Sequence, residues 1–282
     1  MNNFDFLLII FSALLHAGWN FFTKKTIVNK VTILWFGWGL AGLCTFPFAL
    51  MYTDFSSYDH SWILFVILTG LAHAGYIYTL GLSYSIGEMS LIYPISRGIA
   101  IILTLSTMLL FSIDTISPRG SFGVIMILVG IILVALKRFG DLEKRAVMLI
   151  SIKVGIFVSL YSIIDKISLN HIPVFFYISA MFLLTSLLLA PFILHSLNHH
   201  IIIVIKRHKT YSGLIGVVSF IAYYFILVAM SQSPASYVVA LREISIVFGS
   251  VLGMWLLREE RNRRKIAGIL IIVVGAYIIK TA

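Results

Sequence analysis

Charge is what this sequence lacks most. Asp, Glu, Lys and Arg make up 11% of its 282 residues, against about 25% in soluble domains. So few charges cannot solvate the surface of a chain this long, which excludes a water-soluble globule. Cysteine is nearly absent: Cys44 stands alone, so no intramolecular disulfide can form and nothing marks a redox compartment. There is no GxxxxGK stretch, which argues against an ATP-driven pump. No His, Cys and carboxylate residues recur at metal-ligand spacing, and no Ser–His–Asp set stands out. Neither a metal, a cofactor nor an enzymatic activity is therefore expected. His199 and His200, beside Asn198, read as part of a solvated loop. A basic stretch before the first apolar segment is also missing, so that segment reads as a retained helix rather than a signal peptide.

What is present is apolar: 60% hydrophobic residues and a mean hydropathy of +1.02. About 20 consecutive apolar residues cross a bilayer as a helix. Ten windows qualify, at 4–22, 31–51, 61–82, 91–112, 120–138, 147–165, 173–195, 211–231, 237–257 and 266–281. They are continuous rather than alternating, so a β-barrel is excluded. The expected fold is an all-α integral membrane protein with ten transmembrane helices. The net charge of +10 would suit nucleic acid in a soluble chain, but here the cations lie in short loops at helix ends. Loops after odd-numbered windows hold 15 Lys and Arg residues, and the other loops and both tails hold 3. The positive-inside rule then places the odd loops in the cytoplasm and both termini outside.

The chain also repeats. Arg97 and Arg242 lie 145 residues apart, as do Asp114 and Glu259, Gly123 and Gly268, Gly130 and Gly275, and Tyr78 and Tyr223. Pro47 meets Pro191 at 144, and Trp19, Asn20 and Lys24 meet Tyr161, Ser162 and Lys166 at 142. This ordered set predicts two copies of a five-helix unit, 1–140 and 141–282. Five is odd, so the copies enter the membrane from opposite sides, as inverted repeats do in many secondary transporters. Loop charge follows: the first, second and fourth loops carry 3, 0 and 1 basic residues in one copy and 1, 3 and 5 in the other.

These residues resemble the EamA-type members of the drug/metabolite transporter superfamily. Each copy ends on an acidic residue and a polar turn, followed by two glycines seven apart: Asp114, Gly123 and Gly130, then Glu259, Gly268 and Gly275. The opening "LLHAGWNFFTKK" is similar to the family's first helix through Trp19, Asn20 and Lys24. The resemblance spans essentially the whole chain and implies a ten-helix metabolite exporter in the plasma (inner) membrane. It also implies both termini in the cytoplasm, against the loop count.

Ionisable groups inside spans cost about 2.5–3.5 kcal/mol on insertion scales and usually face the bundle interior. Arg97 and Arg242 are either snorkelling groups or cavity-facing ones. The shared position favours the cavity, where a guanidinium fork suits a carboxylate or phosphonate-like anion. Glu243 pairs with Arg97 or Lys24, or carries a proton. Glu88, in "SIGEMS", is a loop carboxylate or a second proton carrier. His16, Trp19 and Asn20 share a helix face with Lys24. Asn20 either binds substrate or joins helices, and Trp19 with Tyr161 supplies cavity walls. His73, Tyr76, Tyr78 and Tyr223 are candidate lining aromatics. Lys153 and Asp165 read as snorkelling or loop groups near segment ends. Pro94 marks either a helix start or a break. The paired glycines read as packing between repeats or protomers. The expected activity is alternating-access transport, most simply export, of an amino-acid-like or carboxylate-bearing metabolite. Substrate-binding candidates are Arg97, Arg242, Trp19, Asn20, His16, Tyr78 and Tyr223; Glu243 and Glu88 are the candidates for proton coupling or an ion pair. Membrane lipids surround a monomer or homodimer, with no nucleic-acid partner. The alternative is a translocator, or accessory subunit, for a lipid-linked headgroup. A cation carrier fits poorly, because Glu243 stands beside Arg242.

Overall fold

A computed structural model of the chain describes residues 1–87, 89–135, 143–196, 198–256 and 263–282. Among these residues every regular element is helical. The helices are α1 (Asn3–Lys25), α2 (Lys30–Tyr52), α3 (Ser61–Ile86), α4 (Met89–Leu110), α5 (Pro118–Ala135) and α6 (Glu143–Ser168). They continue with α7 (Val174–Ser196), α8 (Asn198–Ile203), α9 (Lys209–Gln232), α10 (Ala235–Arg242), α11 (Ile244–Leu256) and α12 (Arg263–Lys280). Helices follow from the apolar runs, because a backbone amide in hydrocarbon must find its partner within its own segment. The ends are capped by side chains. Asn2 Oδ1 accepts from the Asp5 N–H at 2.7 Å, and Asn29 Oδ1 from the Thr32 N–H at 3.0 Å.

Seven helical stretches among the described residues are long and apolar enough to cross a membrane. They are α1, α2, α3, α4 from Ile92, α6 from Arg145, α7, and the stretch His199–Gln232 that ends in α9. The chain is thus a multi-pass membrane protein. Three predicted segments fall short for visible reasons. The described apolar part of α5 covers only Pro118–Val134. The ninth window is divided between α10 and α11, and α12 carries Arg263, Arg264, Lys265 and Lys280 at its ends.

The bundle is built with its polar side chains inward. On α1, Phe4, Leu7, Phe11 and Leu14 are exposed while Ser12, His16, Asn20 and Thr23 are buried. Lipid offers no partner to a polar group, so such groups collect where other helices can bond them. Ser12 Oγ donates to the Ala222 carbonyl on α9 at 2.6 Å.

Packing falls into matched pairs. Helix α1 lies on α9 and α11, and α6 lies on α3 and α4. Helix α2 packs on α7 and α9, and α7 in turn on α3. Lys24 Nζ donates to the Tyr84 and Gly87 carbonyls at the end of α3, at 2.9 and 2.6 Å. Lys166 Nζ does the same at the end of α9, to Met230 and Ser233 at 2.8 and 3.0 Å. Trp38 of α2 stacks on Phe182 of α7 with ring centroids 4.0 Å apart.

The paired glycines have a clear structural role within the chain. Gly123 and Gly130 of α5 meet Gly275 and Gly268 of α12, running antiparallel. A methyl placed on Gly130 would lie 2.7 Å from the Gly268 carbonyl oxygen, and one on Gly123 would lie 2.9 Å from that of Gly275. The approach is backbone to backbone, as small residues in membrane helices allow.

Two expectations are corrected. Pro94 does not break its helix: it is the sixth residue of α4, which runs through it despite the missing donor. The break occurs at the equivalent helix of the other half. There the Glu243 N–H reaches back only three residues, to the Ala240 carbonyl at 3.1 Å, and separates α10 from α11. The segment before α9 is not an open loop either. Asn198–Ile203 is helical and joins α9 through a π turn at Val204–His208, with Val204 fully buried. His199 and His200 therefore lie on a helix.

Helix α10 is held at its start by the first half of the chain. Asp114 Oδ2 accepts from the Ser236 N–H at 2.7 Å and from its hydroxyl at 2.8 Å. In return Tyr237 Oη accepts from the Ser117 N–H, just before α5, at 2.8 Å.

Candidate functional site

Arg97 projects from α4 and Arg242 from the last turn of α10. Both are almost fully buried, at 2% and 4% exposure, so neither snorkels. They converge on one ring. Arg97 Nη2 lies 2.7 Å from His16 Nε2, and Arg242 Nη2 lies 3.3 Å from His16 Nδ1. His16 reaches this point because its helix turns Ser12, His16 and Asn20 inward together.

The surroundings differ between the two arginines. The Arg97 guanidinium stands 4.9 Å above the Tyr93 ring, and its Nη1 is 3.7 Å from Glu243 Oε1. Tyr93 is fixed in turn by a 2.7 Å hydrogen bond to Ser245 Oγ. The Arg242 guanidinium stands 5.2 Å from the Tyr223 ring, and its Nη1 donates to Tyr161 Oη at 3.2 Å.

Hydrogen bonding at this centre is unbalanced. A guanidinium only donates, and a neutral imidazole has one acceptor nitrogen. His16 can accept from Arg97 or from Arg242, never from both. Beyond that, the Nε atoms of both arginines, the Trp38 Nε1 and the Tyr76 hydroxyl are buried without a hydrogen-bond partner among the described residues. Both Glu243 oxygens are likewise buried and unbonded. Its contact with Arg97 is a charge attraction beyond hydrogen-bond length. Buried polar groups are rarely left this way, and each such group calls for an explanation.

A second cluster adjoins the first. Asp165 of α6 is fully buried, and three hydroxyls converge on it. Thr69 donates to Oδ1 at 2.7 Å, Tyr177 to Oδ1 at 2.5 Å, and Tyr223 to Oδ2. His73 Nδ1 lies 3.0 Å from the Thr69 hydroxyl, and its ring stacks on Tyr161 at 4.1 Å. The expectation that Asp165 is a loop or snorkelling group is therefore corrected. It appeared to close its segment, but α6 runs on to Ser168, and Asp165 lies one turn from Tyr161 on the same inward face. That spacing was the available signal.

The other candidates divide. Trp19 packs edge-on against His16 at 5.0 Å and belongs to the centre, as does Tyr223. Asn20 is buried but occupied in holding helices together: its Nδ2 donates to the His16 carbonyl at 2.8 Å, and its Oδ1 accepts from Tyr84 at 2.6 Å. Tyr78 is not brought to the centre. It lies two residues beyond the inward-facing Tyr76 and packs its ring against Phe192 at 4.9 Å. Lys153 is exposed. Glu88 lies outside the described residues. His73, Tyr76, Tyr93 and Tyr161 complete the aromatic walls.

Many apolar spans around a buried, charged, acceptor-poor centre define a multi-pass α-helical membrane protein. Residues 145–281 match the EamA-like transporter family. The match covers just under half of the chain and agrees with the resemblance read from the sequence. A solved structure described only as "Crystal structure of protein" is similar over 99% of this chain and 96% of its own, with a TM-score of 0.69 and 15% identity. That likeness is one of fold. A search of curated proteins finds no match.

Proposed function

We propose that the protein is a secondary transporter of a small carboxylate-bearing, amino-acid-like metabolite, bound between Arg97 and Arg242. The observation that carries this reading is the imbalance of donors and acceptors around His16. Two buried guanidinium groups face the two nitrogens of one imidazole, only one of which can accept, and both Nε atoms lack a partner among the described residues. A carboxylate supplies the missing acceptor positions in a geometry that a guanidinium matches. The unbonded oxygens of Glu243 suit the ammonium group of the same zwitterion, so a molecule carrying both groups satisfies both halves of the centre.

The matched packing pairs, the two lysine straps and the constant sequence offset support ten transmembrane helices arranged as two inverted five-helix repeats, 1–140 and 141–282. Alternating access then comes from rocking one repeat against the other around the arginines. The family domain supports export across the plasma membrane. The 15-to-3 loop charge count favours external termini.

The test is transport of a mixture of labelled amino acids by purified protein in liposomes. Arg97→Ala and Arg242→Ala should each abolish most of the flux. Full transport by both variants would overturn the site.

A further inference from the structure

The cluster around Asp165 has no role in holding the substrate described above, yet it touches the same arginine by two routes. Tyr223 donates its hydroxyl to Asp165 while its ring faces the Arg242 guanidinium. On the other route, Thr69 links Asp165 to His73, His73 stacks on Tyr161, and Tyr161 accepts from Arg242.

Charge bookkeeping decides what this second carboxylate does. Arg97, Arg242, Glu243 and Asp165 sum to zero when both acids are ionised. A substrate of net negative charge, such as an amino acid with a second carboxylate, leaves the buried cluster with a surplus negative charge, which low-dielectric surroundings disfavour strongly. One proton taken up within the cluster restores neutrality.

Glu243 is poorly built for that proton. It lies beside one arginine in the chain and 3.7 Å from the other. Among the described residues Asp165 has no direct salt bridge. Its facing groups are Thr69 and His73 from α3, Tyr177 from α7 and Tyr223 from α9, with Tyr161 on its own helix and Arg242 of α10 beyond them. Arg97 and His16 lie further away, across Arg242. Lys166, next in sequence, is turned to the Met230 and Ser233 carbonyls.

Thr69 is the hydroxyl that can reverse. Its Oγ1 lies between Asp165 Oδ1 and His73 Nδ1, at 2.7 and 3.0 Å. A protonated Asp165 gives its proton to Thr69 Oγ1 as Thr69 passes its own hydrogen to His73 Nδ1. One O–H bond is lost at Asp165, one N–H bond is gained at His73, and Thr69 remains a hydroxyl turned the other way. The Thr69 carbonyl, 3.0 Å from His73 Nδ1, accepts the new N–H. Asp165 lies three residues before the end of α6 at Ser168, about 4.5 Å of helical rise. The relay therefore runs from the region of a helix end toward the bundle centre.

We propose that Asp165 is a proton-binding site of this protein, relayed through Thr69 to His73, and that it takes up one proton when an anionic substrate binds at the arginine pair. The coupling half rests on the substrate reading given above; the proton site itself does not.

Infrared difference spectra of the full chain in phosphatidylcholine vesicles, between alkaline and acid buffer, test the site without any substrate. The carbonyl band of a protonated, buried carboxyl should appear on acidification. It should be lost in Asp165→Asn and kept in Glu243→Gln. A band that survives Asp165→Asn, or vanishes in a Glu243→Gln protein that still folds, overturns the assignment. Should Asp165→Asn fail to fold, Thr69→Val decides: loss of one donor should shift the band, and an unshifted band overturns the relay. Coupling is read separately, as proton uptake when an acidic amino acid of net charge −1 is added to unbuffered protein. About one proton per bound molecule is expected, falling to none in Asp165→Asn. Binding without proton uptake overturns coupling. Absence of binding counts against the substrate reading, and the infrared band still decides the proton site.

Discussion

Arg97 and Arg242 occupy equivalent places in the two halves of the sequence, yet their surroundings differ. Arg97 sits within a continuous helix, has the shorter contact to His16 and faces a carboxylate 3.7 Å away. Arg242 ends a broken helix, has the longer contact to the same ring and bonds a phenol. The first is held by charge, the second by hydroxyls and aromatic faces. Equivalent positions have thus diverged into an anchored cation and a more available one. The asymmetry starts at Glu243, whose counterpart by the 145-residue offset is Gly98.

The largest expected effect falls on the anchored arginine. Glu243→Gln removes the charge opposite Arg97 and should lower stability by about 3–5 kcal/mol, the usual loss when one partner of a buried pair is removed. Denaturant unfolding in detergent measures it. Arg242→Ala should act instead on binding, weakening affinity for the transported solute about 100-fold, or about 2.7 kcal/mol. Arg97→Ala should weaken it less, and isothermal titration ranks the two; a reversed order breaks the comparison. Gly130→Ala, at the contact between α5 and α12, should cost about 2 kcal/mol through overpacking, seen as a lower melting temperature. The smallest effects should come from Tyr161→Phe, and from Lys24→Met and Lys166→Met, at about 1.5 kcal/mol each for lost hydrogen bonds from a charged donor. The two lysine variants should agree closely, because their straps are alike. Unequal losses would show that the halves differ at their edges as well as at the centre.

Much of this was legible in the sequence because lipid writes simple rules. Long apolar runs located the helices, and the 145-residue offset paired the arginines before any contact was visible. The inward face of α1 followed from the spacing of His16, Trp19 and Asn20. Asp165 was missed because an apolar window ends where a charge appears, whereas the helix continues to Ser168. Tyr78 was included on its offset to Tyr223, but matching positions in two copies need not have matching neighbours. The helix around His199 was hidden by cations that suggested a loop. Pro94 drew attention to the wrong place, since α4 runs through it. The break at Glu243 has no proline or glycine beside it and could be seen only in the backbone.

The glycine contact between α5 and α12 has a consequence for any moving part of this protein. Two backbones this close, flanked only by the stiff β-branched side chains of Ile127, Val134, Ile272 and Ile279, have little slack to take up. When other helices tilt, this seam is the part best suited to stay put, like the spine of a book whose covers swing. Distances measured from it would then serve as a fixed ruler for every other displacement.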